Sequence, residues 1–202
     1  LRLAVLLSGS GTNLRALLAA ITADPGFGGE VVVVGSDRAT AGGLAIAQDA
    51  GVPTVVEQLA DHPDRPTWEA ALVGGLQEHA PDGVVLAGFM KVVSPAFLAA
   101  WPGAVLNTHP SLLPAFRGAR AVEDAVAHGV RVTGCTVHLV DELLDHGPIV
   151  AQRAVPVAAG DDAEAVAERI KQVEHELYPA CVRALCRGEL RVEGRRVLGG
   201  PA

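Results

Sequence analysis

Short apolar runs alternate with helical patterns along most of the chain. Residues 3–7 form a continuous apolar run, as expected for a strand buried on both faces of a parallel sheet. Ser8-Gly9-Ser10-Gly11-Thr12-Asn13 follows, and Leu14, Leu17, Leu18 and Ile21 then recur at helical spacing. Residues 31–34, 52–56 and 84–87 read as the next three strands. Between them lie an Ala-rich helix over 41–49, stopped by Gly51, and a helix from Thr67 to about residue 79. Thr67 is its expected cap, Trp68, Leu72 and Leu76 share its buried face, and His62 in the preceding polar loop is expected to be exposed.

Residues 104–107 read as a fifth strand, and Ser94-Pro95 and residues 120–128 as a helix start and a helix. Residues 133–140 alternate strongly, with Thr133, Cys135, Val137 and Leu139 on one side and Thr136 and His138 on the other. A polar loop ending in Gly147-Pro148 leads to a strand over 149–155, which pairs with the preceding strand or joins the sheet antiparallel. Asp161-Asp162 caps a long helix reaching Cys186, and the tail adds a small edge hairpin or packs as coil. Strand–helix alternation with right-handed crossovers predicts an α/β fold. It is a three-layer, Rossmann-like, mostly parallel twisted sheet of about seven strands with helices on both faces. No repeat, linker or second core interrupts the 202 residues, so one domain is expected.

Composition narrows the function. Half of the residues are hydrophobic but only 3% are aromatic, so Val, Leu and Ala must build the core. The formal charge of -7 gives no support for broad nucleic-acid binding. Cys135, Cys181 and Cys186 form no CxxC pair, which argues against a disulfide framework or a zinc site and for a cytoplasmic setting. No run of eighteen apolar residues suggests a membrane span, and the apolar start is too short for a signal peptide.

Two stretches carry candidate chemistry. The Gly-rich turn at residues 8–13 can hold an anion with its backbone N–H groups and a helix N-terminus. It lacks a P-loop lysine and the dinucleotide spacing, so a small phosphate monoester fits it better than a nucleotide cofactor, and a plain capped turn fits it too. Asn107-Thr108-His109-Pro110-Ser111-Leu112-Leu113-Pro114 follows the fifth strand. There Asn107 and His109 face the same way and can aim at one substrate oxygen. A turn-bonding Asn and a packed His satisfy the same pattern. Gly88-Phe89-Met90-Lys91-Val92-Val93 is an apolar loop that either lines a slot for a flat ring or seals the sheet end. Open α/β sheets place ligands beyond their C-terminal strand ends, where Asp145 also falls.

The chain resembles the phosphoribosylglycinamide formyltransferases, folate-dependent transformylases of purine synthesis. The matching segments are Ser8-Gly9-Ser10-Gly11-Thr12-Asn13-Leu14, Leu86-Ala87-Gly88-Phe89-Met90 and the Asn107–Pro114 stretch. Gly134-Cys135-Thr136-Val137-His138, Val140-Asp141-Glu142-Leu143-Leu144-Asp145-His146-Gly147-Pro148-Ile149 and Glu174-His175-Glu176-Leu177-Tyr178-Pro179 also match. The resemblance implies formyl transfer from 10-formyltetrahydrofolate to glycinamide ribonucleotide, with no metal, nucleic-acid or membrane partner. It implies a catalytic trio of Asn107, His109 and Asp145. Asn107 and a protonated His109 would donate to the developing oxyanion. Asp145 would move the proton, through an ordered water, or orient His109.

His138 is implied as support for Asp145. The resemblance assigns phosphate and ribose contacts to Gly11, Thr12, Asn13, Lys171 and Glu174, in a ribonucleotide-binding N-terminal half. It assigns folate contacts to Arg65, Met90, Lys91, Val92, Val93, Phe97, Asn107, Val140, Asp141, Glu142 and Asp145, with the C-terminal half mainly folate-binding. Lys91 departs from the arginine common at its position and would meet the folate glutamate tail without a bidentate fork. Methionyl-tRNA formyltransferases and formyltetrahydrofolate deformylases share the trio but usually carry a further domain, which is not expected here. A non-catalytic phosphate- or folate-binding module is disfavoured by the coexistence of all three residues. Monomer and homodimer both remain compatible with the pattern.

Overall fold

In the computed structural model, which describes residues 1–201, two compact units follow one another, Leu1–Leu106 and Asn107–Ala202. The first contains β1 (Arg2–Leu7), α1 (Thr12–Ala23), β2 (Glu30–Ser36), α2 (Gly42–Asp49), β3 (Thr54–Val56), α3 (Arg65–Gln77), β4 (Gly83–Leu86) and α4 (Pro95–Ala100). Its strands run parallel in the order β3-β2-β1-β4. β1 is central, and Leu3 to Leu7 are fully buried, which is why its sequence shows no polar alternation.

Gly11 shapes the turn after β1. Its φ is +75°, and a Cβ there would lie 2.4 Å from Cα of Gly43 at the start of α2. The turn is therefore glycine-rich partly so that two helix starts can approach each other. Gly11 is also the N-cap of α1, and no side chain caps this helix. The Ser, Thr and Asn of the turn thus leave the first N–H groups of α1 without a side-chain cap.

α3 begins two residues earlier than its pattern suggested. Asp64, not Thr67, is the cap: its Oδ1 accepts from the Thr67 N–H at 2.8 Å, and Pro66 occupies the first turn, where no N–H is needed. His62 is half-buried rather than exposed, with Nε2 2.8 Å from a Glu57 carboxylate oxygen. Trp68, Leu72 and Leu76 are buried as their spacing required.

The second unit takes up the chain within β5 (Val105–His109) and continues with α5 (Ala121–His128), β6 (Val132–Leu139), β7 (Ile149–Pro156) and α6 (Ala163–Cys186). A terminal hairpin, β8 (Arg191–Glu193) and β9 (Arg196–Leu198), completes it, in the strand order β5-β6-β7-β9-β8. β6 and β7 pair with each other, antiparallel. From Thr133 onward β6 is buried on both faces, so its alternation separates two interior environments, not interior from solvent. Asp162 caps α6 through the Ala165 N–H, and the helix packs on β6 and β7. Burial pushes the Cys135 and Cys181 thiols up to about 12, which keeps them protonated and non-nucleophilic at neutral pH.

Replacing Gly11 by Ala forces a Cβ both into the left-handed region and against Gly43. Gly11→Ala is expected to destabilise the protein by about 2–4 kcal/mol in urea unfolding. A change below about 0.5 kcal/mol would contradict the packing described for this turn.

Candidate active site

β5 delivers the centre of the second unit. Its pleat sends Thr108 one way and Asn107 and His109 the other. The Thr108 hydroxyl donates to Glu174 Oε1 on α6 at 2.9 Å, and both residues are buried. This bond fixes the strand end, so the direction of its neighbours is set by the fold.

His109 is 5% exposed and is held at both ring nitrogens. Nε2–H donates to the Phe116 carbonyl at 2.9 Å, and Nδ1 lies 3.4 Å from Asp145 Oδ2. Asp145 Oδ2 also accepts the Gly118 N–H at 2.8 Å. One short segment, residues 116–118, therefore holds both the imidazole and the carboxylate. Phe116 and Asp145 have φ of 49° and 47°, in the left-handed region that non-glycine residues seldom adopt.

Asn107 Nδ2 donates to His138 Nε2 at 3.1 Å, while His138 Nδ1 lies 3.0 Å from its neighbour's carbonyl, that of Leu139. A carbonyl only accepts, so Nδ1 carries the proton and Nε2 is free to accept from Asn107. The amide of Asn107 is thereby fixed with its nitrogen toward His138, and a second N–H remains on that nitrogen. His138 Nε2 stands 3.9 Å from Asp145 Oδ1, too far for a hydrogen bond. His138 thus bonds Asn107 directly and meets Asp145 only through charge. Burial pushes its pKa down, opposed by the Leu139 bond and the Asp145 charge.

The loop bearing Asp145 is built on its own side chains. Asp141 Oδ1 accepts the Leu143 N–H at 3.1 Å, and Oδ2 pairs with His146 Nδ1 at 2.7 Å. Glu142, Leu143 and Leu144 are exposed, while Val140 is half-buried. At Gly147 a Cβ would fall 1.7 Å from the Leu139 carbonyl oxygen, so only glycine closes this loop. Lys171, on α6, pairs with Glu168.

The remaining candidates belong to the first unit. The loop after β4 is fastened from several elements: the Ser8 hydroxyl accepts the Met90 N–H at 2.8 Å, and the Ser8 N–H donates to Gly88 at 3.0 Å. Arg65 donates to the Val92 carbonyl and lies over the Trp68 ring, 5.9 Å from its centroid. Lys91 Nζ stands 3.4 Å from Asp37 Oδ2, whose side chain is almost wholly buried. The charges of Arg65 and Lys91 are thus both engaged within the unit. Met90 and Val92 present exposed apolar side chains, whereas Val93 is buried and Phe97 is enclosed against Trp101. Thr12 and Asn13 are half-buried at the start of α1.

Sequence spacing gave no signal for Phe116, Gly118, Asp37 or Glu69, the last of which accepts from α3 the N–H of Ser94, the residue that caps α4. Carbonyl acceptors and capping carboxylates have no periodicity to read. Among the described residues, no group of three His, Cys, Asp or Glu is placed to hold a metal ion, and no helix is long and apolar enough to cross a membrane.

The sequence pattern of the formyl transferase family matches residues 1–182. A phosphoribosylglycinamide formyltransferase of Mycobacterium tuberculosis (strain ATCC 25618 / H37Rv) is 49% identical over 199 residues, 98% of this chain and 91% of that protein. The crystal structure of glycinamide ribonucleotide transformylase 1 from Symbiobacterium toebii superposes with a TM-score of 0.94 at 47% identity, covering 99% of this chain and 94% of that one. A formyltetrahydrofolate deformylase from Pseudomonas syringae pv. tomato gives a TM-score of 0.90 at 26% identity, covering 99% of this chain and 66% of the other. These likenesses bear out the α/β, Rossmann-like fold with a mixed, mostly parallel sheet.

The environment of His138 has a pH consequence. With its folded pKa below the ordinary 6.5, the unfolded chain binds more protons in the window beneath 6.5, so stability falls as pH drops through it. Urea unfolding between neutral and mildly acidic pH should show this loss, and His138→Gln should remove part of the slope. An unchanged slope in the variant would show that His138 is not the buried neutral group described.

Proposed function

The chain belongs to the formyl transferase family, and on that premise we propose that it works as a phosphoribosylglycinamide formyltransferase through Asn107, His109 and Asp145. It transfers the formyl group of 10-formyltetrahydrofolate to the amine of glycinamide ribonucleotide, a step of purine biosynthesis. The observation that carries the assignment of residues is the approach of His109 Nδ1 to Asp145 at 3.4 Å, with the oriented amide of Asn107 on the same strand end.

The reaction asks three things of the protein. The amine nitrogen attacks the formyl carbon, and negative charge grows on the formyl oxygen. Asn107 has an N–H left over after bonding His138, and it donates to that oxygen. His109 can donate only by giving up one of its two partners. Exchange of the Phe116 carbonyl for the formyl oxygen leaves Nδ1 on Asp145, so that the carboxylate stabilises the imidazolium while Nε2–H faces the oxyanion. The amine then loses a proton and the folate nitrogen gains one as the carbon–nitrogen bond to folate breaks. Asp145 is the carboxylate at hand for that transfer, directly or through water.

Gly11, Thr12 and Asn13 are assigned to the phosphate, supported by the absence of a side-chain cap on α1. Glu174 and Lys171 are assigned to the ribonucleotide from α6. Met90, Val92 and the loop from Val140 to Asp145 are assigned to the folate, with Val93 and Phe97 as packing beneath. Lys91 and Arg65 serve this reading as struts of the loop after β4, since Asp37 and Val92 hold them. The family match runs through both compact units, which supports a single functional domain. Three free cysteines agree with a cytoplasmic setting.

Supplied with 10-formyltetrahydrofolate, the protein should formylate glycinamide ribonucleotide and neither methionyl-tRNA nor, at a comparable rate, water. Turnover with water alone would favour the deformylase reading and sink this one. Asn107→Ala should lower kcat by about 10²–10³-fold. Asp145→Asn should keep its unfolding midpoint and lose about 10²-fold or more in kcat. A near-wild-type kcat in either variant removes that residue from the mechanism.

A further inference from the structure

The terminal hairpin follows α6, and one of its side chains reaches the loop that carries Asp145. Arg195 occupies the link between β8 and β9. Its Nη2 donates to the His146 carbonyl at 2.6 Å, and its Nη1 lies 3.2 Å from His146 Nε2. Nη1 is also 3.5 Å from His146 Nδ1, so the guanidinium lies over the face of the imidazole, and since the Asp141 carboxylate accepts, Nδ1 carries the proton. That proton goes to Asp141 Oδ2 at 2.7 Å, and Asp141 Oδ1 in turn accepts the Leu143 N–H. A directed chain thus runs from the hairpin through His146 to the far end of the loop.

His146 is the residue next to Asp145, and Arg195 grips it at both the ring and the backbone. Asp145 itself sits at a φ of 47°, a conformation that persists only where its surroundings hold it. Gly118 holds the carboxylate, and the Arg195 fork holds the peptide that follows. Arg117, Asp145, His146 and Arg195 also line one cavity of about 320 Å³. Among the described residues the Arg195 guanidinium is directed at His146.

We infer that Arg195 is a positioning residue for catalysis: through His146 and Asp141 it fixes the 141–147 loop and so the place of the Asp145 carboxylate. The inference rests on the catalytic role assigned to Asp145. A displacement of a catalytic group by about 1 Å costs up to about 10²-fold in rate, so loosening one of its anchors should cost about tenfold.

The test is steady-state kinetics on Arg195→Ala, His146→Ala and the double variant, each with its urea midpoint. Arg195→Ala should lower kcat about tenfold while KM for glycinamide ribonucleotide stays within about twofold and the midpoint is nearly unchanged. His146→Ala should give a similar loss, and the double variant no further one, because the two act in series. Arg195→Lys should recover part of kcat, since an ammonium can serve the carbonyl but cannot lie flat on the imidazole as a guanidinium does. A wild-type kcat in Arg195→Ala, losses that multiply in the double variant, or a loss of kcat matched by a loss of folded protein would each overturn the inference. Failure of the wild-type protein to formylate the ribonucleotide would instead overturn the functional reading beneath it.

Discussion

The hydrogen bond from the Thr108 hydroxyl to Glu174 decides more of this site than any contact made by Asn107 or His109. A strand end beside a loop would ordinarily be free to twist, and a one-residue slip would turn every side chain to the opposite face. With Thr108 bonded to the long helix, Asn107 and His109 have one direction left to point. His138 and Asp145 then meet them from β6 and the loop beyond it. Thr108, Glu174, Asn107, His138 and His109 each have a hydrogen-bond partner, as a low-dielectric interior favours.

A single strand supplies two donors while two other elements set their state. His138 settles which face of the Asn107 amide is presented, because its own proton is committed to a backbone carbonyl. Asp145 places a carboxylate oxygen 3.4 Å from His109 Nδ1. Residues 116–118 bond both His109 and Asp145, which ties the loop after the strand to this pair. Further out, charge is used for fastening: Lys91 goes to Asp37, and Arg65 to a carbonyl. These pairings account for the engaged state of two cations that the sequence alone suggested for a folate tail.

The elements, and the proximity of His109 to Asp145, were legible for definite reasons. Fully buried parallel strands read as unbroken apolar runs, and residues 3–7 and 84–87 behave that way. Asn107, His109 and Asp145 stood out through a resemblance that rests on long, specific motifs. What stayed hidden depends on backbone direction or on distant partners. Asp64 won the cap of α3 over Thr67 because Pro66 already filled the first turn. The attachment of His138 to Asn107 followed from a tautomer that no sequence displays. Phe116 acts through a carbonyl, which every residue has. Arg195 lies in a tail whose short pattern fitted hairpin and coil alike.

The central claim is that His109 and Asp145 act as one proton-handling pair and not as two independent contributors. A double-mutant cycle on kcat for formyl transfer to glycinamide ribonucleotide, using His109→Ala, Asp145→Asn and both together, measures this directly. The account predicts strong non-additivity, with the double variant about as slow as the slower single one. Two losses that multiply in full would mean that the 3.4 Å approach of His109 to Asp145 has no part in the chemistry, and would contradict it.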